Sequence, residues 1–238
     1  FPTRRSSDLV GRGQTYPTDE QYRNLEPEYI AVEGDLAFVA LQENNAVAVF
    51  DLSTESYVGV YGLGSSVVTI DASNRDDAIN GGINIDDTVR ALVMPDAIAT
   101  YTIGTTTYVA APSEGDFRGA DDADEARGND FSGTNFGANP NGLTTSLDNA
   151  TGIGRLNLLI DQSDPDGNGI LDDAVSASDR KVSIYAFDGS SLTRVGDTGT
   201  GDDGIEAFLA ALDAARHNAN DGGTDFDARS DDKGPELE

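Results

Sequence analysis

Between residues 25 and 52, apolar positions come in short runs broken by turn residues, and the pattern predicts three strands of a meander. Tyr29 to Val32 is apolar, Glu33-Gly34-Asp35 turns, Leu36 to Leu41 runs back, Asn44-Asn45 turns again, and Ala46 to Leu52 completes it. Gly-Asp and Asn-Asn pairs tolerate the positive φ of tight hairpins, while Val, Ile, Phe and Tyr suit a pleated sheet. The first two strands recur at residues 95–116. Pro27-Glu28-x-Ile30-Ala31 answers Pro95-Asp96-x-Ile98-Ala99, and Ala40-x-x-Glu43-Asn44-Asn45 answers Ala111-x-x-Glu114-Gly115-Asp116. Further strands are expected over residues 57–63, 66–70, 153–160, 181–187 and 191–195, and residues 89–94 lead into the second repeat. One amphipathic helix is expected over residues 205–217, with Ile205, Phe208, Leu209 and Leu212 as its apolar stripe and Asp203 with Glu206 as a capping box. Its expected role is packing.

The repeat has a geometric consequence. In an antiparallel hairpin the start of the first strand and the end of the second share one sheet edge. Glu28 with Glu43, and Asp96 with Glu114, are therefore expected at one rim, with Asp116 beside them. Repeated small antiparallel sheets suggest an all-β protein and part of a β-propeller, with carboxylates around one mouth. Acids that merely flank strands because turns are polar would give the same pattern.

Composition changes the picture in three ways. A net charge of −28 and a pI near 4.1 argue against nucleic acid as a partner. They suit a salt-rich or calcium-rich exterior as well as a merely solvated surface. No run approaches the ~18 apolar residues of a membrane span, and the absence of cysteine excludes a disulfide framework. Residues 1–9, FPTRRSSDL, look like a sequencing-adapter oligonucleotide translated in frame and are set aside as non-native. Residues 10–238 are then expected to be an incomplete propeller domain, a piece of a longer product. Its long acidic loops lie at residues 71–88, 116–150 and 161–173.

The sharpest local chemistry is Asp164-Pro165-Asp166-Gly167-Asn168-Gly169-Ile170-Leu171-Asp172-Asp173. Oxygen ligands at alternate positions followed by a glycine form the front half of an EF-hand-type loop, in which Ile170 would offer its carbonyl and Asp172 the ninth-position oxygen. Val175 stands where the bidentate Glu belongs, so the expectation is a calcium loop without EF-hand helices, with Asp173 as a substitute ligand. The rim carboxylates form a second candidate cation site, and Arg118 and Lys233 are candidate anion-holding cations. His217 is the sole histidine, which removes a multi-histidine zinc site from this chain. No phosphate loop, GxSxG elbow or HExxH appears.

Six runs, in order, carry a resemblance: LEPEYIAVEGDLAFVALQENNAVAVFDL, GGINI, MPDAIATY, SEGDFR, DPDGNGILDD and DARSDDKGPELE. Together they resemble the choice-of-anchor I family, with Leu237 and Ser113 departing from its pattern near the end and in its NEGD motif. The resemblance implies a secreted or surface-anchored bacterial propeller of seven blades. It further implies similarity to a mesenchyme-specific cell-surface glycoprotein and to the propeller part of atypical alkaline phosphatases. Three functions stay open: a calcium-stabilised module binding a surface or matrix ligand, a metal-dependent phosphoesterase whose ions at the rim polarise a phosphoryl oxygen, and a purely structural blade array.

Overall fold

The computed structural model describes residues 25–76, 82–117, 125–131, 151–166, 170–220, 222–235 and 237. The chain opens with a four-stranded meander of β1 (Pro27–Glu33), β2 (Leu36–Leu41), β3 (Ala46–Asp51) and β4 (Ser56–Gly62), each antiparallel to the next. Gly34, at φ +60°, turns β1 into β2. The β2–β3 connection is a single 3-10 turn at Gln42–Asn44, closed by Asn45 in the left-handed region.

The second repeat supplies β7 (Ala99–Ile103) and β8 (Thr106–Pro112), turned by Gly104. They join β12 (Val182–Phe187) and β13 (Leu192–Asp197) in a second four-stranded sheet of order β13-β12-β8-β7. Between these sheets in sequence lie β5 (Ser65–Ile70) and β6 (Asp87–Leu92), an antiparallel pair that β11 (Val175–Ser176) extends in parallel. A small ribbon pairs β9 (Glu125–Arg127) with β10 (Asn157–Leu159), and a helical turn, α1 (Ile160–Ser163), follows directly.

Alternation explains how the two large sheets meet. Phe38, Ala40, Val47, Val49 and Tyr61 share one face of the first sheet, while Val109, Ala111, Tyr185 and Phe187 share one face of the second. These faces form one core. The Phe187 ring packs edge-on against Phe38 at 5.5 Å and Tyr61 at 5.6 Å, and Tyr185 Oη donates to the Leu63 carbonyl at 3.0 Å. A second core under β5 and β6 collects Val68, Ile70, Val89, Leu156, Leu158 and Leu171. The protein is thus mostly β, in four sheets, and among the described residues these sheets do not close into a ring.

The helix departs from expectation. α2 spans only Ile205–Leu212; Asp213 interrupts it, and a 3-10 turn at Ala214–Arg216 follows. Gly204 is its N-cap, without a side-chain cap bond, so Asp203 and Glu206 form no capping box. Phe208 and Leu212 of the apolar stripe are 59% and 67% exposed, whereas Glu206 is buried. The physical reason is an ion pair: Glu206 Oε1 accepts from the buried Arg180 Nη1 at 2.6 Å, and this sets the rotation of the helix. The run at 153–160 differs too, forming a strand only at Asn157–Leu159.

Candidate functional site

The register Pro27↔Leu41 carries the start of β1 to the end of β2, so the first repeat gathers its acids at one corner. One carboxylate oxygen from each of Glu26, Glu28 and Glu43 lies within 4.8 Å of the others. Glu26 and Glu28 are exposed and Glu43 is buried. Burial pushes the Glu43 carboxyl up to about 7, with the charges of Glu26, Asp116 and Glu28 adding to the effect.

The second repeat meets this corner through its own acids. Gln42 Nε2 donates to Glu114 Oε2 at 2.6 Å, a direct bond between equivalent ends of the two hairpins. Glu114 Oε1 accepts from Lys233 Nζ at 2.8 Å and pairs with Arg229 Nη2 at 3.5 Å. Asp116 Oδ1 stands 3.7 Å from the same Lys233 ammonium. Burial alone would lower Lys233, but its bond to Glu114 and the charge of Asp116 hold it above its ordinary value. Gly115 makes this corner possible. Its φ is +82°, and a Cβ there would sit 2.8 Å from the Ala177 carbonyl oxygen.

The rim therefore brings Glu28, Glu43, Glu114 and Asp116 into one neighbourhood, with Glu26 as an addition that the repeat did not signal. Asp96, half-buried ahead of β7, is not part of the three-carboxylate group. Arg118 lies outside the described residues, and Lys233 is held by Glu114 and Asp116.

The acidic loop is a separate place. Its residues 167–169, including Asn168, lie outside the described residues. Asp164 is buried; Asp166, Ile170 and Asp172 are exposed. Asp173 accepts from Arg90 Nε at 2.7 Å and from the Ala174 amide at 2.8 Å. Among the described residues, no three of these carboxylates share a 4.8 Å neighbourhood.

A buried polar network went unseen in the sequence. Arg180 donates to the Asp71 and Ser230 carbonyls as well as to Glu206, and Asn218 Nδ2 donates to Glu206 Oε1 at 2.7 Å and Ser230 Oγ at 2.8 Å. Ser230 Oγ donates in turn to Asp227 Oδ1, and His217 Nε2 lies 2.9 Å from Asp71 Oδ2. Burial, reinforced by the Asp71 and Asp76 charges, pushes the Asp227 carboxyl up to about 7. The one available signal was the sole histidine, placed in a stretch of Asp, Asn and Gly where no apolar periodicity explains it.

Architecture and site together define a mostly-β protein with an acid-lined rim where two repeated hairpins meet. The chain belongs to the choice-of-anchor I domain family, whose match covers residues 3–238. That match includes most of the stretch 1–9 set aside above. Membership implies a surface-anchored or secreted protein. No curated protein and no solved structure matches the chain. No helix among the described residues is long and apolar enough to cross a membrane.

Proposed function

We propose that this chain is part of a propeller-type module at the cell surface, and that it binds an external ligand through calcium held at the rim by Glu26, Glu28 and Glu43. The convergence of these three carboxylates carries the reading. Calcium takes six to eight oxygens at about 2.3–2.6 Å, so oxygens on opposite sides of one ion stand roughly 4.6–5.2 Å apart. Three oxygens within 4.8 Å of one another lie inside that span. Like charges this close repel, and a divalent ion removes the repulsion that burial aggravates at Glu43. Because Glu26 and Glu28 are exposed, the ion keeps open positions, which an acidic group on a partner can fill. The bonds that Glu114 accepts from Gln42, Lys233 and Arg229 hold the neighbouring corner in place. The loop with Asp164, Asp166, Asn168, Ile170 and Asp172 is a second, independent calcium proposal from its spacing.

Among the described residues, which do not include Arg118, no geometry favours the phosphoesterase alternative, because Lys233 is already engaged by two carboxylates. Calorimetric titration with calcium tests the reading. The wild-type chain is expected to release binding heat that Glu28→Gln loses at the rim and Asp166→Ala loses at the loop. Isotherms for Glu28→Gln identical to wild type would overturn the rim assignment.

A further inference from the structure

Away from the rim, Asp71 meets His217 and Asp227, which are ten residues apart in a distant part of the chain, and all three are at most 2% exposed. One ligand atom from each lies within 4.8 Å of the others. Asp227 Oδ2, buried, finds no hydrogen-bond partner among the described residues, and His217 presents Nε2 to Asp71 Oδ2 at 2.9 Å. Asp71 and Asp227 form no ion pair with Lys or Arg among those residues. A buried carboxylate oxygen without a partner, close to a second buried carboxylate, is costly unless a ligand satisfies it.

The geometry points to Asp71, His217 and Asp227 as a buried site for a nitrogen-accepting divalent cation, zinc by donor chemistry, that pins the segment 222–235 in place. An imidazole with two carboxylates suits zinc or a neighbouring transition metal, whereas calcium prefers oxygen alone. At zinc–ligand lengths of about 2.0–2.2 Å, tetrahedral ligands stand roughly 3.4 Å apart; His217 Nε2 and Asp71 Oδ2, now 2.9 Å apart, would open slightly to admit the ion, and the Asp227 oxygen already lies within 4.8 Å of both ligand atoms. The surroundings are built to orient the ligands. Asp71 Oδ2 accepts from the Asn84 amide at 3.1 Å, and Asp227 Oδ1 accepts from Ser230 Oγ. Asp227 and Asn218 both hold positive φ, a backbone cost that a bound ion offsets.

The position gives the ion a task. The Asp227 amide donates to the His217 carbonyl at 2.9 Å and the Arg229 amide to the Asn218 carbonyl at 2.8 Å, so the segment docks where the ion would sit. That same segment sends Arg229 and Lys233 to Glu114 at the rim. A buried ion at one end of it thus orders the cations at the other.

The untagged chain, stripped with a chelator and reloaded with zinc, decides the matter by metal counting. Wild type and Glu28→Gln are expected to retain one equivalent that His217→Gln and Asp227→Asn lose. Cobalt loaded into wild type should show the visible bands of a nitrogen-containing, low-coordinate site, a readout that needs no variant to fold. Hydrogen exchange at the Asp227 and Arg229 amides should speed up on chelation. No retained equivalent in wild type, or equal retention by His217→Gln, or cobalt bands of an all-oxygen octahedral ion, would overturn the assignment.

Discussion

At the scale of single residues, the rim depends on atoms that tolerate no substitute. Gly115 combines φ +82° with a Cβ position 2.8 Å from a backbone oxygen. Gly115→Ala should therefore destabilise the fold by roughly 2–4 kcal/mol, read as a lower urea midpoint, through left-handed strain and a backbone clash. Gly34 is the contrasting control: its φ is +60° but nothing lies within 4 Å of its Cβ position, so Gly34→Ala should cost only about 1 kcal/mol. Asp188 gives a pH test. Bonds from the Ser190 amide and the Ser191 hydroxyl, then from the Ser191 amide and the Ser190 hydroxyl, hold its carboxyl below the ordinary carboxylate range. A depressed folded value means stability that is present above the ordinary pKa and lost as pH falls through the folded one. Asp188→Ala should consequently show a shallower loss of thermal midpoint than wild type between neutral pH and the strongly acidic range. Parallel curves for the two would contradict the linkage.

At the scale of elements, hairpins were legible and rotations were not. β1–β2 and β7–β8 could be read because alternation and glycine turns are local, and the second copy repeated the first. The corner they build was legible in part: Glu28 and Glu43 follow from strand ends, but Glu26, two residues before Glu28 and outside the repeated motif, also joins them. α2 was misread because its rotation answers to Arg180, which lies 26 residues away in sequence and outside any helical period. Mutation separates the two orientations. Leu212→Lys should change stability by less than about 0.5 kcal/mol, since that side chain is 67% exposed. Glu206→Ala should cost about 3–5 kcal/mol by stranding the buried Arg180 guanidinium. The reverse ranking in denaturant melts would restore the apolar stripe as the packing face.

At the scale of the whole molecule, two four-stranded sheets share one core and one acidic corner. The core is held by aromatic contacts that cross between sheets, so Phe187→Ala should cost about 3–5 kcal/mol and loosen both. The buried Asp71–His217–Asp227 group belongs to this scale as well. Its members are separated by up to 156 residues of chain, which is why no motif or period announced them. Common to the rim and the buried group is a set of three ligand-bearing side chains within 4.8 Å of one another, at least one of them a buried carboxylate. The most direct test of the rim is diffraction from crystals grown with calcium, using the anomalous signal to place ions. One calcium is predicted with oxygens of Glu26, Glu28 and Glu43 at about 2.3–2.6 Å. A fully occupied calcium elsewhere, with these three carboxylates turned apart and no anomalous density between them, would contradict it.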